Sequence, residues 1–135
     1  MDKENNRSLL DNIPLVYSCS GCSNIAQLAN DVAVKMDRKG IAEMSCIAGV
    51  GGNVKPLVQK AKSGRKVIAI DGCALQCAKS CLNKVSVEPD IYYVLTDYGM
   101  KKEYHKDFND ETIDEIFELI YRENFEVDLS TTLKQ

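Results

Sequence analysis

No apolar run in this 135-residue chain approaches the roughly 18 residues that a membrane-spanning helix requires, so membrane insertion is not expected. Charge of one sign is not in excess either. The net charge is −3 with both signs mixed along the chain, which argues against a protein that binds nucleic acid by neutralising phosphates. The first ten residues are polar and carry Asp2, Lys3, Glu4 and Arg7. They lack the apolar core of an export signal, so a cytoplasmic location is expected. Histidine is nearly absent. His105 is the single one, and its charged surroundings read as solvated surface. Gly49, Gly51 and Gly52 form a glycine-rich turn, readable as an amide nest or as a tight strand-to-helix turn. No Walker lysine follows them and they miss the GxGxxG spacing, so nucleotide binding has little support. No arginine stands six residues after a cysteine, which removes the phosphate cradle of a thiol phosphatase.

Short apolar runs alternate with helical stripes. Residues 13–18, 41–47, 67–70 and 91–95 read as strands, the second weakly, because Ala42, Glu43 and Met44 are poor strand formers. Residues 67–70 are apolar throughout, as in a strand covered on both faces. Helical spacing over Ile25, Leu28, Ala29, Val32 and Met36 predicts a first helix with Asn24 and Gln27 as its capping pair. A helix is expected over 74–83. A last one carries Ile113, Ile116, Phe117 and Ile120, with Thr112 and Glu115 as a capping box. The alternation predicts a three-layer, Rossmann-like α/β domain with a four-stranded parallel sheet of order 2-1-3-4. The expected organisation is a polar lead over 1–12, one domain over 13–131 and a tail over 132–135, with 127–131 a short coda.

Cysteine is what the chain has in quantity: six, in three groups, each at or just after a strand. Cys19 and Cys22 follow the first strand, Cys46 falls in the second, and Cys73, Cys77 and Cys81 follow the third. In parallel sheets, ligand sites lie beyond the carboxyl ends of the strands, so this topology brings the three groups to one edge. In a reducing compartment, clustered cysteines read as metal ligands or catalytic thiols before structural disulfides. Thiolates suit soft ions, so zinc leads and an iron–sulfur cluster is the alternative. Cys19, Cys46 and Cys73 stand at the three strand ends. Cys19 and Cys22 can both reach one ion, and Cys73 and Cys77 can both reach an ion near a helix start. The sulfurs that bind it are expected within about 4 Å of one another around a tetrahedral ion. Cys22 is the reserve ligand, and Cys81 reads as a packing residue. Asp71 reads as a turn residue or as a group supporting the ligands.

The segments CSG at 19–21, the lone Cys46, IDGCALQCAKSCL at 70–82 and VEPDIYYVLTDYG at 87–99 resemble the family of zinc-binding proteins with the DGC domain, named for Asp71-Gly72-Cys73. The resemblance implies that Cys19, Cys46, Cys73 and Cys77 chelate the metal. Cys22 and Cys81 are additions to the family's pattern. It implies a metal and a fold, but no reaction. The expected function is therefore metal sensing, carriage or a structural adaptor role, the last adding a protein partner to the metal ion. The competing reading is a thiol–disulfide or sulfur-transfer protein working through Cys19 and Cys22.

Overall fold

The computed structural model describes residues 12–126. The expected lead, coda and tail therefore lie almost wholly outside the described residues. Strand β1 (Leu15–Ser18) is buried along its whole length. Helix α1 (Asn24–Arg38) follows, then β2 (Glu43–Met44), the short helix α2 (Ile47–Gly51) and α3 (Lys55–Ala61). Strand β3 (Val67–Asp71) leads to α4 (Cys77–Lys84), β4 (Ile91–Val94), a 3-10 turn (Leu95–Tyr98) and α5 (Asp110–Asn124).

The sheet has four parallel strands in the order β2-β1-β3-β4, as the alternating pattern predicts. Side chains alternate across it. Val16, Ile68 and Ile70 pack under Ile25, Leu28 and Val32 of α1 and Ile116, Phe117 and Ile120 of α5. Leu15, Tyr17, Val67 and Ala69 pack on the other face against Val50 of α2, Ala61 of α3 and Leu82 of α4. The central strands thus have covered faces, which is why they read as unbroken apolar runs. Among the described residues, no helix is long and apolar enough to cross a membrane.

Several element ends differ from the sequence reading. Strand β2 is only two residues long. The Met44 amide donates to the Asp37 carboxylate at 2.9 Å, and Cys46 already caps α2. Ser23, not Asn24, caps α1, accepting from the Ala26 amide at 3.1 Å. Asn109 caps α5 in place of Thr112, and the Thr112 amide donates to it at 2.9 Å. Helix α4 starts at Cys77 because Gln76 adopts a left-handed backbone, with φ of 56°. The glycine-rich stretch is partly helical. Gly49 is there for closeness, since a Cβ on it would lie 2.0 Å from Leu57 Cδ1.

Candidate functional site

The chain leaves β1 and β3 side by side at the carboxyl edge of the sheet, and the two exits form the walls of a cleft. The Cys19 amide extends the ladder by donating to the Ile70 carbonyl at 3.1 Å. The cleft encloses about 200 Å³ and is lined by Cys19, Cys22, Cys73 and Cys77, with Ile25, Ala26 and Leu75 as apolar wall. Lys102 and Tyr104, from the segment after β4, complete the lining. Four of the six cysteines therefore share one space, drawn from two distant parts of the chain.

Asp71 sets the second wall. It is 1% exposed, and a buried carboxylate is costly unless its oxygens are satisfied. They accept from the Ala78 amide at 2.7 Å, the Lys79 amide at 3.0 Å and the Tyr92 hydroxyl at 2.8 Å. Gln76, at the cap position of α4, supplies no side-chain bond. Asp71 does that work from the end of β3, placing a negative group on the positive end of the helix. Tyr92 has its phenol pushed up, by burial first and then by the bond to Asp71 and its charge.

Gly72 lets the wall close. A Cβ there would stand 2.8 Å from the Ile25 carbonyl oxygen, so only glycine permits this approach to the first turn of α1. Its amide donates to Cys19 Sγ at 3.2 Å. Cys73 then presents its sulfur to Lys102, whose ammonium donates to it at 3.5 Å. Burial pushes the Cys19 thiol up to about 11, against the bond from Gly72. Cys81 is also pushed up, by burial and then by Cys77 and Asp71.

Cys46 does not line the cleft. It caps α2, its sulfur accepting from the Gly49 amide at 3.4 Å. Cys81 sits in the α2–α4 contact, where a Cβ on Gly51 would lie 2.8 Å from its sulfur. All six cysteines are free thiols. Among the described residues, no three His, Cys, Asp or Glu side chains stand close enough together to hold a metal ion. The donor chemistry in the cleft nevertheless fits a soft ion: four sulfurs, no competing carboxylate in the lining, and N–H donors already on Cys19 and Cys73.

The strap that carries Lys102 and Tyr104 was not legible as part of a site. Asn24, 4% exposed, holds it. Its side-chain amide donates to the Lys101 carbonyl at 3.1 Å and accepts from the Glu103 amide at 2.6 Å. Its backbone amide donates to the Glu103 carbonyl at 2.9 Å. Ser23 and Tyr104 form an antiparallel bridge beside it. The partners are 77 and 79 residues apart in sequence, and no local motif announces them. His105 is exposed, as expected, and lies outside the cleft lining.

The DGC domain matches residues 15–120, and the chain belongs to that family. It is 52% identical over 111 residues, 82% of this chain and 85% of the relative, to the protein named Anaerobic and virulence modulator AnvM of Pseudomonas aeruginosa. No solved structure matches the chain.

Three predictions follow from this geometry. Gly72→Ala forces the β3 exit away from backbone atoms of α1 and lowers stability by about 1–3 kcal/mol in urea unfolding; a midpoint equal to that of the parent would contradict the close approach. Asp71→Asn removes a charge-assisted cap and weakens unfolding stability by about 1.5–3 kcal/mol, whereas Tyr92→Phe costs about 1 kcal/mol. Equal losses would show that the helix bonds of Asp71 are unimportant. Cys19 has a raised folded-state value, so its contribution is complete below the ordinary thiol value of 9.0 and is lost as pH rises through about 11. Thermal stability is therefore expected to decline less steeply across that window in Cys19→Ser than in the parent.

Proposed function

We propose that this chain is a thiolate-based soft-metal binder, with zinc as the ion, that acts as a metal-responsive regulator in the cytoplasm rather than as an enzyme. The observation that carries this reading is the convergence of Cys19, Cys22, Cys73 and Cys77 on one cleft at the carboxyl edge of the sheet. Cys19, Cys73 and Cys77 would hold the ion, with Cys22 as the fourth donor nearest to hand and Cys46 the alternative from the end of β2. Zinc held by four thiolates has a filled tetrahedral shell and no open position for an activated water.

Two N–H donors already reach the candidate sulfurs, although burial keeps Cys19 a thiol until a metal displaces its proton. The Gly72 amide points at Cys19 and the Lys102 ammonium at Cys73, the kind of supporting donors that orient thiolate ligands. Asp71 fixes the start of α4, and with it the position of Cys77. The sulfurs must draw closer to share an ion. The walls that carry them are short exits from β1 and β3, with Cys19 and Cys73 packed at the edge of the core, so sharing an ion would require a local shift of those exits. The relative's name, a modulator, is in keeping with a regulatory role.

Elemental analysis of protein purified under reducing conditions without added metal tests the reading. About one zinc per chain is expected. Cys73→Ser should lose it and Cys81→Ser should keep it. Cooperative thermal unfolding should persist after chelation, because two apolar clusters flank the sheet and only the edge of one of them reaches the cleft. Protein that carries no zinc and gives no thiolate charge-transfer band with cobalt(II) would reject the proposal. Iron with visible colour would point to an iron–sulfur cluster instead.

A further inference from the structure

The cleft has a second chemical character that its sulfurs do not explain. Leu75 and Tyr104, which border it, are 70% and 55% exposed, the highest values among the exposed large apolar side chains. Ile25 and Ala26 continue the apolar wall inward. Among the described residues no carboxylate lines the space, and the oxygens of nearby Asp71 are taken by α4 and Tyr92. Among the described residues, too, Lys102 is the one cationic side chain in the lining.

The pairing along the strap sets Lys102 apart. Lys101 and Lys106 both approach the Glu103 carboxylate, at 3.9 and 3.2 Å. Among the described residues, Lys102 has no carboxylate partner. Its ammonium faces Cys73 Sγ at 3.5 Å and lies 5.4 Å from the centroid of the Tyr104 ring. An ammonium has three N–H donors, so these contacts leave capacity for an anion. Asn24 fixes the strap, so Lys102 is held at the rim rather than trailing in solvent.

We propose that this cleft binds a small carboxylate with an apolar body, its acid group on Lys102 and its hydrocarbon part against Leu75, Tyr104, Ala26 and Ile25. A single cation suits a monoanion better than a phosphate, which takes several charge-assisted donors. The volume of about 200 Å³ is below the about 300–1,000 Å³ of pockets for larger ligands, which selects a short acid. The carboxylate can come from a free acid or from the C-terminus of a peptide with an apolar last residue. The proposal does not rest on the metal reading. It is tested on protein from which metal and chelator have both been removed, so either can fail alone.

Calorimetric titration of the reduced 135-residue chain with hexanoate, hexanamide and acetate makes the test. Hexanoate is expected to bind about three- to fivefold more tightly than hexanamide, the size of effect an exposed charge pair supports. Acetate, which lacks the apolar body, should bind more weakly than either. Lys102→Gln should abolish the preference for acid over amide while leaving hexanamide unchanged. Leu75→Ser should weaken hexanoate and hexanamide alike. Both changes are at the rim and leave the core intact. A short peptide ending in leucine with a free carboxylate, compared with its amidated form, separates the two sources: tighter binding than hexanoate assigns the site to a chain terminus, weaker binding to a free acid. No binding of hexanoate or of the free-acid peptide, equal affinity for acid and amide, or a preference that survives Lys102→Gln would overturn the proposal.

Discussion

The buried carboxylate of Asp71 is the constraint on which the site depends. It ends the central strand β3 and reaches two amides in the first turns of α4. A carboxylate removed from water in this way is tolerable because its acceptors are filled, and a partly satisfied one would be worse than none. The same bond set fixes three elements at once: β3 through its own backbone, α4 through its amides and β4 through the Tyr92 hydroxyl. What lies between Asp71 and Cys77 is then a short turn with both ends pinned. Cys73 and Cys77 are presented to the cleft by that pinning rather than by a continuous helix.

Gly72 and Cys73 complete a division of labour within three consecutive residues. Asp71 anchors, Gly72 allows backbone contact with α1 and hands its amide to Cys19, and Cys73 meets the strap lysine. Each role has a different physical cause: satisfied burial of charge, absence of a Cβ, and a sulfur opposite an ammonium. A substitution at any of the three therefore fails in its own way. The motif is short because these tasks arise at a single strand-to-helix exit.

Much of the sheet was legible in the chain. Residues 67–70 are apolar because both faces of β3 are covered, and the order β2-β1-β3-β4 follows from alternating elements and the handedness of parallel crossovers. Helix starts were less legible. Ser23, Asn24 and Asn109 are all competent caps, and tertiary demand decides among them: Asn24 was unavailable because its amide is spent on the strap. The start of α4 was misplaced because Asp71, six residues upstream of Cys77, caps it from a strand. The cysteines announced a site by their place in the topology. Lys102, Tyr104 and Tyr92 did not, because what makes them part of it is contact across long sequence separations, which no spacing rule encodes.

Most of the packed core lies away from the cleft, which shares Ile25, Cys19 and Cys73 with one of its two clusters. The residues that hold the domain together lie in two apolar clusters on opposite faces of the sheet, and the cleft thiols lie beyond the strand ends. The walls are tied down by a limited set of bonds: Asp71 to α4 and Tyr92, the Gly72 amide to Cys19, the Cys19 amide to the Ile70 carbonyl, the Thr96 amide to the Gly72 carbonyl, and Asn24 and the Ser23–Tyr104 bridge to the strap. A ligand can shift such an equilibrium only by its differential affinity for the two arrangements. Here the opposing terms are a handful of hydrogen bonds, each worth about 0.5–1.5 kcal/mol net, or about 1.5–3 where a charged group takes part. An occupant that rearranged the walls or strap would have to offset those bonds, while unfolding would require breaking the core as well. Leu75, Tyr104 and Lys102 are exposed or half-buried at the rim. A change in the cleft walls would therefore alter a surface that another molecule meets, which is what the proposed regulatory role requires.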